Sequence, residues 1–203
     1  MKSPILTLSV LCLAAALSAC SGGSTPTETK SRTADVVASA TAAAPTATAT
    51  DPSNPTEAAT PFRGGACSTT VTGQAVNDDV VVRSDATCVL DGVSVDGNVK
   101  VMDGGTLQVT DSIIEGNIEG ERHRDVAVSG GLVDGNIQLK HGASATVSGV
   151  TIGGDLQAEG NSGAQDFSGN TIDGNLQCTG NASAPTGGDN TVKGDKEGQC
   201  SGL

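Results

Sequence analysis

Residues Val93 to Val101 read VSVDGNVKV, and versions of this stretch return until the chain ends: IIEGNI from Ile113, LVDGNIQL from Leu132, TIGGDLQA from Thr151, TIDGNLQC from Thr171 and TVKGDKEG from Thr191. The glycines that anchor the copies, Gly97, Gly116, Gly135, Gly154, Gly174 and Gly194, are 19, 19, 19, 20 and 20 residues apart. A near-constant period of that length marks a solenoid, in which each repeat buries its apolar face only against its neighbours. Within VSVDGNVKV the apolar Val93, Val95, Val99 and Val101 alternate with Ser94, Asp96, Asn98 and Lys100. Period two puts the first set on the inner face of a strand and the second outside.

A second inward pair precedes each of the first five anchor glycines: Cys88 and Leu90, Leu107 and Val109, Val126 and Val128, Ala145 and Val147, then Gln165 and Phe167. Each rung therefore carries at least two strand segments, joined by turns such as Met102-Asp103-Gly104-Gly105 and Lys140-His141-Gly142. Hairpins would reverse the pattern in alternate copies, whereas here every copy runs in the same order. The expected fold is all-β, a single-stranded parallel β-helix of about six to seven rungs and ~30 Å length.

The anchor glycine has a parity that points inward or along a corner, where a side chain would collide with the next rung or strain the backbone. After it come Asn98, Asn117, Asn136, Asp155, Asn175 and Asp195. Stacked amides in adjacent rungs hydrogen-bond along the axis, so a structural ladder accounts for this column, a cation-binding column being the other reading. One position before the glycine stand Asp96, Glu115, Asp134, Gly153, Asp173 and Lys193. The first three are the weak candidates for a metal, and a solvated outer face is the simpler account of them. No metal site and no cofactor are expected.

Four cysteines follow Cys20: Cys67, Cys88, Cys178 and Cys200. Cys67 to Cys88 is 21 residues and Cys178 to Cys200 is 22, about one rung in each case. Residues one turn apart lie on neighbouring rungs, within reach of a disulfide, so these two pairs are expected to close the ends of the domain. No C-x-x-C or Cys/His cluster points to zinc instead.

Met1 to Ala19 has Lys2, an apolar run from Ile5 to Leu17 and small residues before Cys20. Leu17-Ser18-Ala19-Cys20 resembles a bacterial lipobox, which implies removal of residues 1–19, lipidation of Cys20 and a place on the extracytoplasmic face of a membrane. Residues 20–66, rich in Ser, Thr, Ala and Pro, read as a disordered tether, with a short helix through Ala34 to Ala44 as the competing reading. The solenoid is then expected over 67–203.

The chain has a formal charge of -12, no Trp, no Tyr, and only Phe62 and Phe167 as aromatics. Without a basic footprint or stacking rings, nucleic acid is not an expected partner, and glycan recognition lacks its usual aromatic platform. Glu121, Lys140 and Glu159 form a stripe of alternating sign. The two histidines, His123 and His141, fall on adjacent rungs beside Arg122, Arg124 and Lys140, which suggests exposed turn residues forming a small basic spot. Neither has a nucleophile or carboxylate partner at a matching position, so no catalytic residue is named. Thr151, Thr171 and Thr191 stack as in ice-binding solenoids, but upstream that column becomes Ser94, Ile113 and Leu132.

DGNV, DGNIQL and IGGDLQ, with their repeated inward aliphatics, resemble the bactofilin-type polymer-forming β-helix repeat. The segment Gly174 to Cys200 is similar to the ending of many small exported bacterial β-helix proteins. The resemblance spans about 66–203 and implies a scaffold or surface role without a catalytic motif. Bactofilins are cytoplasmic and lack export signals and paired cysteines, so the expectation here is a lipid-anchored, monomeric solenoid with a structural or adhesive role and a cell-envelope glycan or protein as partner. A glycan-directed β-helix enzyme or binding module, and a self-assembling scaffold, are the alternatives.

Overall fold

The computed structural model describes residues 61–203, all of whose regular elements are β-strands. The expected signal segment, the expected lipidation site Cys20 and residues 20–60 of the expected tether lie outside the described residues. One turn of the chain consists of Val99–Val101, Thr106–Thr110 and Ile113–Ile114, and it is followed by Ile118–Glu121 on top of Val99–Val101. Each rung thus has three strands, one more than the two that the inward pairs alone require. The third is only two residues long and carries a single inward side chain, such as Val95 in Ser94–Val95.

Three parallel sheets result. The first face has eight strands, from Gly65–Cys67 to Lys196–Gly198. The second has seven, from Thr70–Thr72 to Thr186–Gly188, and the third seven, from Ala75–Val76 to Thr191–Val192. This is a parallel β-solenoid of about seven turns. Every strand between the two ends of a sheet pairs with the strand one turn before and one turn after, in register: Val99 faces Ile118, which faces Ile137, which faces Leu156. Parallel pairing without slip puts like beside like, so aliphatic columns fill the interior. Val80, Val99, Ile118, Ile137, Leu156 and Leu176 form one such column, and all are fully buried. On the third face Val76, Val95, Ile114, Val133, Ile152 and Ile172 form another. Phe167, the largest buried side chain, stacks between Val147 and Gly187.

The lengthening of the period from 19 to 20 residues has a single location. Leu139 faces Ala158, a separation of 19, whereas Ala145 faces Gln165, a separation of 20. The added residue therefore enters at the corner between the first and second faces, just after Asn161. Registers on both sides survive because the corner absorbs it.

The structure pairs Cys67 with Cys88 and Cys178 with Cys200, at Cα separations of 5.5 and 5.2 Å. Cys67 faces Val82 on the first face and Cys88 faces Leu107 on the second, so the first bond crosses the interior corner between successive turns. The first strand begins at Gly65, slightly before the expected start at Cys67, and Phe62 packs partly buried against the core with its N–H donating to Gln74 Oε1 at 3.1 Å. At the far end Lys196 takes the inward place above Leu176. Its ammonium donates to the carbonyl of Asn190 at 3.0 Å and to that of Leu203, closing the core with charge satisfied by backbone.

Candidate functional site: corner ladders and outward faces

The anchor glycines turn the corner from the third face to the first. A Cβ on Gly135 would stand 2.5 Å from Asn117 Oδ1 and 2.6 Å from the Gly116 carbonyl oxygen; the other anchor glycines face similar collisions. Only hydrogen fits there, and that closeness brings the next residue under the rung above. The Asn117 N–H and its Nδ2 both donate to Asn98 Oδ1 at 3.0 Å; Asn136 repeats the contact on Asn117 at 2.8 and 3.2 Å. The column continues through Asp155 and Asn175 to Asp195. It starts one rung earlier than the repeat motif shows, at Asp79, whose Oδ1 accepts from Asn98 N at 2.8 Å. The Asn98 N–H, its amide and the Lys100 ammonium hold the Asp79 carboxyl below its usual range. A structural ladder therefore accounts for Asn98, Asn117, Asn136 and Asn175.

Two further ladders, unmarked by the repeat motif, line the other corners. Asn161 and Asn181 are stacked between the first and second faces, with Asn161 N donating to Asn181 Oδ1 at 3.0 Å and Gln199 extending the column. Asn170 and Asn190 do the same between the second and third, again at 3.0 Å. All four asparagines are buried. Their signal in the sequence is an asparagine recurring after 20 residues, twice.

His123 belongs to the first of these inner columns. The left-handed residue of the corner lies three positions after Val82 and Val101, at Asp85 and Gly104, but two positions after Gly120 and Leu139, at Arg122 and His141. The earlier turn sends the following residue inward. His123 is consequently buried at 1 % exposure, which corrects the expectation of a turn-exposed ring. Gly142 leaves space for it: a Cβ there would lie 2.2 Å from His123 Cε1. Among the described residues neither ring nitrogen finds a hydrogen-bonding partner. Loss of hydration pulls its pKa below the ordinary value, although the backbone at Gly120 and Ser144 and the carboxylates of Asp125 and Glu121 favour the charged form. Asp125 is pushed up by its own partial burial, against the pull of His123.

Nor does a basic spot form. Arg122 pairs with Glu121 at 3.0 Å and Asp103 at 3.5 Å, and Arg124 with Asp85 at 2.9 Å. His141 lies 3.7 Å from Glu121, and Lys140 lies 3.7 Å from Glu159, the one cross-rung pair in the alternating stripe. Asp96, Glu115 and Asp134 stand exposed beside the anchor corner. Among the described residues no group of three or more His, Cys, Asp or Glu is placed to hold a metal ion.

Outside the core, each face presents columns at rung spacing. The first face bears Lys100, Glu119, Gln138, Gln157, Gln177 and Glu197 in one column, and Glu121, Lys140, Glu159 and Thr179 in a second. The second face is broader and rich in hydroxyls, with Thr110, Ser129, Ser148 and Ser168 in line. The third carries Ser94, Ile113, Leu132, Thr151, Thr171 and Thr191, with Ile113 46 % exposed. No protein-family model, curated protein or solved structure matches this chain.

Proposed function

We propose that this protein is an exported, lipid-anchored β-solenoid with a structural or adhesive role at the bacterial cell envelope and no catalytic activity of its own. The observation that carries the reading is where the polar chemistry goes. Asparagine amides at all three corners and ion pairs such as Arg124–Asp85, Arg122–Asp103, Lys193–Asp173 and Lys140–Glu159 hold one rung to another, and the remaining outward groups of the strands form regular columns. A surface organised in this way presents repeated, rigid contacts. Among the described residues it brings together no nucleophile, base and orienting group.

Two disulfides fit an oxidising, extracytoplasmic compartment. Leu17-Ser18-Ala19-Cys20 supplies the anchor, and the tether lets the solenoid stand off the membrane by a mean span of ~40 Å. Cys20→Ser is expected to move the protein from the membrane fraction to the soluble exported fraction. Quantitative retention in the detergent phase would overturn the anchor. Release of sugar or peptide products by the purified chain would overturn the non-catalytic reading.

A further inference from the structure

Between the two outward columns of the first face lie two shallow wells. One, of about 280 Å³, is bounded by Glu119, Glu121, Gln138 and Lys140 over the backbone of Gly120. The second, of about 230 Å³, is bounded by Gln157, Glu159, Gln177 and Thr179 over Ala158. Each spans two rungs, so their centres are ~9.6 Å apart along the axis. The Lys140–Glu159 pair lies at the boundary between them, its charges neutralising each other.

The glutamines of this groove differ from the corner asparagines in one respect. The asparagine amides are committed to neighbouring rungs, whereas among the described residues the side chains of Gln138 and Gln177 make no hydrogen bond and that of Gln157 makes only a long one, 3.4 Å, to Asp155. All three are half-buried, each in register with a residue of the rung before and the rung after. Each amide offers two donors and an acceptor, the complement of sugar hydroxyls and acetamido groups. Carboxylates outnumber ammonium groups around the wells, in a chain of charge -12, so polyanions are repelled. Cations gain little, because Glu121 is engaged by Arg122 and Glu159 by Lys140, leaving Glu119 without an ion-pair partner among the described residues.

We propose that this groove binds a neutral linear polysaccharide laid along the solenoid axis, one segment in each well. The proposal rests on the adhesive reading above and gives it a face and a ligand class. Hydrogen bonds alone, without an aromatic platform, hold a sugar weakly in one well. A chain long enough to occupy both gains from the high effective concentration of its second segment.

The test titrates the full chain with β-linked glucose and N-acetylglucosamine oligomers of increasing length, with polygalacturonate and oligolysine as charged controls. Expected are binding of the neutral oligomers, a gain of about tenfold or more once both wells are spanned, and a loss of about tenfold or more in the Gln157→Ala, Gln177→Ala double variant. Thr146→Ala, on the second face, should bind as the parent does. No binding of the neutral oligomers, binding unchanged in the double variant, or binding of oligolysine in their place overturns the proposal. Whole-cell adhesion that survives the double variant removes the groove and keeps the adhesive reading. Slow cleavage of a bound oligomer does the reverse: it ends the non-catalytic reading and leaves the groove.

Discussion

Protonating His123 puts a charge in a buried corner where, among the described residues, neither ring nitrogen has a partner; the lost hydration makes the folded chain hold that proton more weakly than the unfolded chain, whose imidazole has the ordinary value of 6.5. The sign follows from the lowered folded pKa. Stability is unaffected by this group above pH 6.5 and declines as pH falls below it, until the folded value is passed. Asp79, with its lowered pKa, adds a second loss as pH drops through the range below 3.8. Asp125, with its raised pKa, works the other way and recovers some stability between its folded value and 3.8. His123→Asn, which places in this column the residue type found at Asn161 and Asn181, is expected to flatten the decline that starts at pH 6.5. Denaturant midpoints measured across that range check it, and an unchanged slope would assign the acid response to other groups. A second contrast at this scale concerns two glycines. Gly149 has φ +64 and open space where a Cβ would stand, so Gly149→Ala meets only left-handed strain of about 1–2 kcal/mol. Gly135→Ala drives a methyl into Asn117 and the Gly116 carbonyl and breaks a ladder step, so its melting temperature should fall further. Equal losses would mean that the corner relaxes freely.

A rung is specified by parity, and parity was legible wherever an apolar residue alternated with a polar one. Val99, Val101, Leu107 and Val109 were readable as inward for that reason, and all are buried. The third strand was not separately legible, because two residues such as Val133 and its outward neighbour Leu132 give no alternation of their own and merge with the stretch that follows. The burial of His123 is hidden in the sequence for a related cause. Its orientation depends on a left-handed residue one position earlier than in the preceding rung, and neither Arg122 nor His141 announces that conformation as a glycine does. The asparagine ladder after the anchor glycines was legible from its spacing; the two inner ladders were hidden because His123, Gly142, Ser112 and Val150 occupy their earlier rungs. At this scale Val133→Asp is expected to cost more than about 4 kcal/mol, by burying a carboxylate with no partner. Asp134→Ala, exposed one residue on, should stay within about 0.5 kcal/mol. Thermal melts of the two variants decide it, and similar midpoints would contradict the assigned parity.

At the scale of the whole molecule, about seven turns of in-register parallel strands leave each of the three sheets with an open edge at either end, and open edges are where such a stack would grow. Both ends carry obstacles to that. Lys196 and the Cys178–Cys200 bond close the last turn; the Cys67–Cys88 bond and Phe62 cover the first. The oxidised chain is therefore expected to sediment as a monomer at micromolar concentration, with association appearing on reduction. Filaments of the oxidised protein would move the self-assembling scaffold to the front. The extra residue that enters after Asn161 has a different kind of consequence. It shows that this corner can lengthen while Leu139 still faces Ala158 and Ala145 still meets Gln165 squarely, so the sheets do not read the length of the bend between them. Ser162 and Ala164 are exposed there, on an edge pointing away from the interior. The molecule is in effect a rack with an open slot: a short flexible peptide inserted between Ser162 and Gly163 should be displayed beside the second face with the melting temperature nearly unchanged, while the same peptide inserted between Val126 and Ala127 should prevent folding.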